Sequence, residues 1–213
     1  MLVKSFWIAI ALILLETAST VQAGVPELKT GDILLQSVRC YVCSLIELEE
    51  SAPYSHMGIV IVEPTGISVL EAWQKVERVS LREFLARKRP DTSTLVLRPK
   101  AFKTQTARIS AKSMIHFFDH WFAGKNYDDD FSWSNRDLLG EKYYCSEFVA
   151  KFMNHFLPVK FETKPMHFQK YRQSWIEYFK KTPPDGQPGI SPADFARSPL
   201  LSPVGVLNAN EVL

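Results

Sequence analysis

Two hydrophobic periods alternate along this chain. Near the middle, His56-Met57-Gly58-Ile59-Val60-Ile61-Val62 is a nearly continuous apolar, β-branched run, the pattern of a buried strand. Pro64-Thr65-Gly66 supplies turn chemistry, and Ile67 to Trp73 is a second such run, so the two are predicted to pair as a hairpin. Val76 to Val79 alternates and makes a third strand. Ile33-Leu34-Leu35-Gln36, after Gly31-Asp32, and Thr94 to Arg98 are two more. The other period is helical. Phe148, Val149, Phe152, Met153 and Phe156 form one apolar stripe that begins at Cys145. Ala111, Met114, Ile115, Phe118, Trp121 and Phe122 form another within a helix predicted over Thr106–Phe122, ended by Gly124.

Shorter helices are marked by their ends. Arg39–Glu50 carries a modest apolar face. Ser80-Leu81-Arg82-Glu83 fits a capping box opening a short helix to about Arg87, which Pro90 and Asp91 break. Gln169–Lys181 is a further helix, and Ser191-Pro192-Ala193-Asp194 has a Ser cap with Pro in the first turn. Tyr127–Gly140 reads as an irregular polar and aromatic loop, Thr182–Pro188 as a turn or linker, and the tail to Leu213 as irregular. Helices flanking several strands make the class α+β. No internal repeat or second domain is evident.

The first residues have a separate pattern. Lys4 is a short basic region, Ser5–Leu15 an apolar one, and Val21-Gln22-Ala23 offers small residues at a cleavage site. Residues 1–23 are therefore expected to be a signal peptide, with 24–213 as one domain ending in the irregular tail. An uncleaved anchor competes, but the apolar run is short for a span, so no stable membrane span is expected after cleavage. The protein is expected to be exported, and periplasmic if its source is Gram-negative. The 213 residues are 46% hydrophobic and 23% charged, with a formal charge of +2 and the Lys and Arg spread along the chain. Nucleic acid is therefore not an expected partner. No heptad or exposed apolar strand marks an oligomer interface.

Export makes the three cysteines informative, because an odd count leaves one unpaired. Cys40 and Cys43 are close enough in sequence to pair, which leaves Cys145. At a helix start, unpaired N–H groups and the helix dipole favour a negative charge, so a thiol there should lose its proton more readily and become nucleophilic. The alternative is a small packed residue. His56 opens one hairpin strand and Glu71 lies in the other, offset by a few residues and close enough to share a sheet face. A carboxylate there can hold an imidazole in one tautomer and stabilise its charge. Each has a plain alternative: a structural histidine, and a glutamate facing water. His116 and His120 have metal-binding spacing but lie off the apolar face. Asp128-Asp129-Asp130 lacks the ligand spacing of a calcium loop and is expected to be exposed.

Gly31-Asp32-Ile33-Leu34, Tyr54-Ser55-His56-Met57-Gly58-Ile59-Val60, Glu71-Ala72-Trp73 and Tyr144-Cys145-Ser146-Glu147-Phe148-Val149, in that order, resemble the YiiX-like permuted papain-like cysteine hydrolases. These are relatives of the NlpC-type cell-wall peptidases and, more distantly, of lecithin:retinol acyltransferase. In papain the Cys precedes the His; here His56 precedes Cys145, the permuted order. The resemblance covers about Thr30 to Phe156. It implies a small antiparallel sheet carrying His and acid, packed on a helix whose N-terminus carries Cys. It casts Cys145 as nucleophile, His56 as general base, Glu71 as the residue orienting His56, and Tyr144 as lining the substrate site. The Cys145 N–H would belong to an oxyanion hole. The resemblance implies no metal and no organic cofactor. The substrate class it implies is a small peptide or amide, such as one of cell-wall origin. An acyltransferase or lipid-acting enzyme on the same site, a non-catalytic binding protein and a thiol oxidoreductase run by Cys40 and Cys43 are the rivals. Cys40 and Cys43 depart from the family's pattern; a local disulfide is the plain reading, reversible capping of Cys145 the sharper one.

Overall fold

The computed structural model describes residues 25–104 and 109–208; the expected signal segment, residues 1–23, lies outside them. The chain opens with β1 (Ile33–Gln36), α1 (Tyr41–Glu50), β2 (His56–Glu63), β3 (Gly66–Ala72), β4 (Val76–Ser80), α2 (Leu81–Ala86) and β5 (Thr94–Pro99). After a 3-10 turn over Lys100–Thr104 come α3 (Ala111–Trp121), a two-stranded ribbon of β6 (Arg136–Asp137) and β7 (Gly140–Glu141), and α4 (Cys145–Phe156). The last part holds β8 (Lys164–Pro165), α5 (Arg172–Phe179), β9 (Pro188–Gly189), α6 (Pro192–Arg197) and β10 (Leu201–Leu207).

Six strands form one antiparallel sheet in the order β10-β5-β1-β2-β3-β4. Strand alternation divides its side chains. Leu35, Met57, Ile59, Ile61, Leu70 and Leu97 pack against Met114 and Phe118 of α3 and against Phe148, Val149, Phe152 and Met153 of α4. Leu34, Val60, Val69 and Val96 face the other way, against Leu81, Phe84 and Leu85 of α2. A third cluster joins Leu45 of α1 to Trp175 and Phe179 of α5, with Phe131, Tyr144 and Phe168 between them. The fold is α+β, with α4 as the central helix: Cys145 through Ala150, Phe152 and Met153 are all buried.

The Gly31-Asp32 turn is built for close contact. Gly31 is left-handed (φ 89°), and a Cβ there would lie 2.4 Å from the Phe102 ring. Asp32 is wholly buried and takes Nε and Nη2 of Arg98, each at 2.7 Å, and the Lys29 N–H at 2.8 Å. This ties the start of β1 to β5. The predicted caps form as well. Ser191 and Asp194 make a full capping box, whereas at α2 the Ser80 hydroxyl accepts from the Glu83 N–H but the Glu83 carboxylate pairs with Arg87 at 3.1 Å.

Several expectations are corrected. The tail is not irregular: Leu201–Leu207 is an edge strand on β5, with a register shift between Pro203 and Gly205. Pro and Gly hide it in sequence, and an edge strand is where both are tolerated. The long helix starts at Ala111, capped by Ser110; of the predicted stretch, residues 106–108 lie outside the described residues. Trp121 leaves the apolar stripe and is exposed, while Phe117 stacks on His155 instead. The Tyr127–Gly140 loop contains part of the β6–β7 ribbon, and Asp128 is buried rather than exposed.

Replacing Asp32 by Ala strands the Arg98 guanidinium without its counter-charge. Breaking such a pair costs on the order of 3 kcal/mol, and a lower urea midpoint at unchanged slope is the expected outcome. An unchanged midpoint would show that solvent screens the pair.

Candidate active site

Hairpin register brings the first two groups together. Gly58 of β2 faces Glu71 of β3, so Glu71 stands two residues along from His56 on the same face. Glycine at 58 keeps that face open: a Cβ there would sit 2.4 Å from Val69 Cγ1 and 3.1 Å from the Phe84 ring. His56 Nε2 and Glu71 Oε2 are 2.6 Å apart, both residues buried. The second Glu71 oxygen, Oε1, takes the Arg87 guanidinium, which also lies 5.5 Å over the Trp73 ring. Trp73 meets His56 edge-on at 5.0 Å and Phe84 lies against it at 5.4 Å, so the imidazole is held between two aromatic rings.

His56 is the first residue of β2, so its ring lies at the end of the sheet, where α4 begins. With Nε2 committed to Glu71, the other ring nitrogen stays available to Cys145, the first residue of α4. The Cys145 Sγ also lies 3.9 Å from the Ser55 carbonyl oxygen. Burial alone would lower the His56 pKa. Hydrogen bonds to Cys145 and Glu71 and the negative charges at both positions outweigh it and raise the value to about 9. Burial pushes Glu71 upward, but His56 and then Arg87 win and hold it below the ordinary carboxylate value. The site therefore favours an imidazolium paired with the Glu71 carboxylate.

Tyr144 caps α4 without a side-chain capping bond, and its ring is buried. Its hydroxyl accepts from the Ile190 N–H at 3.2 Å, while the Ser146 hydroxyl donates to the Ile190 carbonyl at 2.7 Å. The residues on either side of Cys145 thus hold both backbone groups of Ile190, tying the 188–192 segment to the helix start. Glu147 is buried as well, with the Ser134 N–H at 2.8 Å and Lys151 Nζ at 2.9 Å, and burial pushes its pKa up to about 7. Glu147 and Asp128, which accepts from the Ser132 N–H at 2.9 Å and Asn135 Nδ2 at 2.7 Å, anchor the 128–135 loop. That loop includes two left-handed non-glycine residues, Phe131 (φ 48°) and Ser134 (φ 71°).

The structure therefore brings Cys145, His56 and Glu71 together and puts Tyr144 beside them. Cys40 and Cys43 are bonded to each other and Cys145 is free, so neither caps Cys145. Cys40 is the N-cap of α1, which joins the antiparallel neighbours β1 and β2 rather than parallel strands, so the setting is not that of a thioredoxin-like C-x-x-C. Sequence reasoning missed Arg87 and Ile190. A buried glutamate calls for a cation, and Arg87 is one turn past Phe84; the sequence offers several other cations at comparable distance. Ile190 acts through its backbone and leaves no sequence signal.

A family model described as a permuted papain-like amidase enzyme, YaeF/YiiX, C92 family, matches residues 27–205. The uncharacterized protein YiiX of Escherichia coli strain K12 is 26% identical over 140 residues, which are 66% of this chain and 64% of that protein. The chain thus matches just under two thirds of that relative's length. A crystal structure of YiiX from Escherichia coli O157:H7, described as a metalloprotein, superposes with a TM-score of 0.70 at 23% identity, covering 84% of this chain and 98% of that one. Among the described residues, no group of three or more His, Cys, Asp or Glu side chains is arranged to hold a metal ion. The matched span takes in β1, the β2–β3 hairpin and α4 in the permuted order His56, Glu71, Cys145, and the chain belongs to the C92 family of permuted papain-like amidases.

Proposed function

We propose that this protein is an exported cysteine hydrolase that cleaves an amide bond in a small peptide or amidated substrate through Cys145, His56 and Glu71. The observation that carries the reading is the buried 2.6 Å His56–Glu71 contact, with Cys145 at the first position of the helix packed against the same sheet. Three groups in that order are a nucleophile, a proton carrier and an orienter. The Cys40–Cys43 disulfide supports an oxidising compartment, the periplasm if the source is Gram-negative. A cell-wall amide suits that compartment.

The Cys145 thiolate attacks the substrate carbonyl carbon, forming a C–S bond and an oxyanion. Cys145 is the first residue of α4, so its N–H has no acceptor within the helix and is available to that oxyanion. The tetrahedral species collapses with cleavage of the C–N bond, and the His56 imidazolium gives its proton to the departing amine. Neutral His56 then takes a proton from water as the water oxygen attacks the thioester. The C–S bond breaks, the acid leaves, and thiolate and imidazolium are restored. Glu71 keeps the ring oriented and its charge stabilised throughout, and Arg87 positions Glu71.

Intact-mass analysis after mixing with a coumarin amide of a simple acyl group tests the reading. One acyl adduct on Cys145 in the wild type is expected, none in Cys145→Ser and a strongly reduced amount in His56→Ala. No adduct, together with an ordinary thiol profile for alkylation by iodoacetamide in a Cys40→Ser, Cys43→Ser background, would leave Cys145 a packed residue. Partition of the adduct between water and an added amine then separates hydrolase from acyltransferase.

The raised His56 value sets the alkaline limit. Leaving-group protonation needs the charged ring, which persists as pH rises until it is lost through about 9. In Glu71→Gln the negative partner is gone, and the alkaline limb of kcat/KM should move down toward the ordinary histidine value of about 6.5, with a loss in kcat/KM on the order of a hundredfold. An unmoved limb in Glu71→Gln would mean that the carboxylate only packs.

A further inference from the structure

Only Ser51 to Ser55 separate α1 from His56, and Glu47 clasps that stretch at both ends. Its backbone carbonyl accepts from the Ala52 N–H at 3.1 Å, and its Oε1 accepts from the Ser55 hydroxyl at 2.6 Å. The same oxygen accepts from the Ser37 hydroxyl at 2.6 Å. Gln36 pairs with His56 in the β1–β2 ladder, so Ser37 and Ser55 are the next positions beyond its last rung. There the Ser55 N–H donates to the Gln36 carbonyl at 3.0 Å, and the Ser55 hydroxyl accepts from the Val38 N–H at 3.1 Å. One carboxylate oxygen thus bridges the two strands where their ladder ends, beside His56.

Both serines are buried. Oxygen separations of 2.6 Å are those of hydroxyls donating to a carboxylate, bonds roughly twice as strong as neutral ones. The other Glu47 oxygen, Oε2, faces Arg89 Nη1 at 3.6 Å. Arg89 donates its backbone N–H to the Ser37 carbonyl at 2.8 Å and Nη2 to the Ser44 hydroxyl at 3.3 Å, while its Nε is buried without a hydrogen bond among the described residues. Such a pair is a poor source of stability, since apolar side chains of similar volume often do as well. What the carboxylate supplies is a fixed place for Ser55. The Ser55 backbone leads directly into His56, and its carbonyl oxygen lies 3.9 Å from the Cys145 sulfur. A shift at Ser55 therefore alters the imidazole and the surroundings of the thiol together.

We propose that Glu47 is a positioning residue of the active site, holding Ser55 so that His56 and Cys145 meet in reactive geometry. The proposal rests on the hydrolase reading for the reaction that is measured. Glu47 touches no reacting atom and acts through Ser55. A displacement of about 1 Å at a reacting group can cost on the order of a hundredfold in rate. Ser37 provides the control within the cluster. It shares the Glu47 oxygen but precedes α1, and its hydroxyl can be removed with Ser55 still bound.

The test compares Glu47→Leu, Glu47→Gln, Ser55→Ala, Ser37→Ala and the double variant of Glu47→Leu with Ser55→Ala, with thermal midpoints to check folding. One readout is kcat/KM for the coumarin amide. The other is the NMR titration of the His56 ring, assigned by its loss in His56→Ala, which needs no turnover. Glu47→Leu and Ser55→Ala should each lower kcat/KM at least about tenfold. Both should also move the His56 titration down from about 9 toward the ordinary value of about 6.5, because a displaced ring keeps its burial and loses its partners. Glu47→Gln, which retains an acceptor oxygen for the serines, and Ser37→Ala should stay within about threefold of the wild type. The double variant should fall no further than the slower of its two singles, as residues acting as a unit do. Wild-type kcat/KM in folded Glu47→Leu, an unmoved His56 titration, equal losses in Ser37→Ala and Ser55→Ala, or additive losses in the double variant would each overturn the proposal. If Glu47→Leu does not fold, Ser55→Ala against Ser37→Ala decides the matter. Absence of wild-type turnover with the His56 titration shifted as expected would count against the hydrolase reading and leave the positioning role standing.

Discussion

A glutamate has been taken wholly out of water at Glu71, and the geometry of the site follows from what compensates it. An isolated buried carboxylate either neutralises or is paired. Here one oxygen faces the His56 ring and the other faces Arg87. The first contact charges the imidazole and the second keeps the carboxylate from taking the proton back. Trp73 covers Arg87 and touches His56, and Phe84 closes the other side. The cluster draws on β2, β3 and α2, so the hairpin and the short helix after it are one unit around a single charge.

Cys145 comes to this unit from a different layer. The α4 helix packs on the opposite face of the sheet, against Met57, Ile59 and Leu70, and its axis brings its first residue to the sheet's end. The start of a helix is where backbone donors are free, so one placement delivers both a thiol and an unpaired backbone donor. Holding that start in place is the task of its neighbours. Tyr144 and Ser146 bind the Ile190 backbone, and Glu147 binds Ser134. The 128–135 loop and the 188–192 segment are thereby attached to the helix turn that carries the thiol.

Two buried carboxylates in this region differ instructively. Glu71 is held low and Glu147 is pushed up to about 7. Both are wholly buried; they differ in partners. Glu71 has a charged imidazole and a guanidinium, while Glu147 has one backbone N–H, one lysine and an oxygen, Oε2, without a hydrogen bond among the described residues. Burial depth does not decide the charge state; the number and sign of the contacts do.

Much of this was legible from the sequence. Periods of two and 3.6 located the β2–β3 hairpin and the α4 stripe, and turn chemistry at Pro64-Thr65-Gly66 set a register within reach of His56 and Glu71. Those signals are local, because each depends on residues a few positions apart. Four short motifs in permuted order pointed to the family. What depends on contacts between distant segments was decided only by tertiary structure. The β10 strand carries Pro and Gly and forms because β5 offers an unpaired edge. Asp128 looked like part of an exposed acidic run and is buried because its own loop folds over it. Arg87 was one cation among many until α2 was laid beside β3, and Ile190 contributes only a backbone amide and carbonyl, which every residue has. The chain's own periodicity determined which elements exist and which of them carry the thiol, the imidazole and the carboxylate. The packing of β10, the loop around Asp128 and the clamp on Ile190 determined how those groups are held, because side-chain and backbone partners far apart in sequence leave no periodic trace.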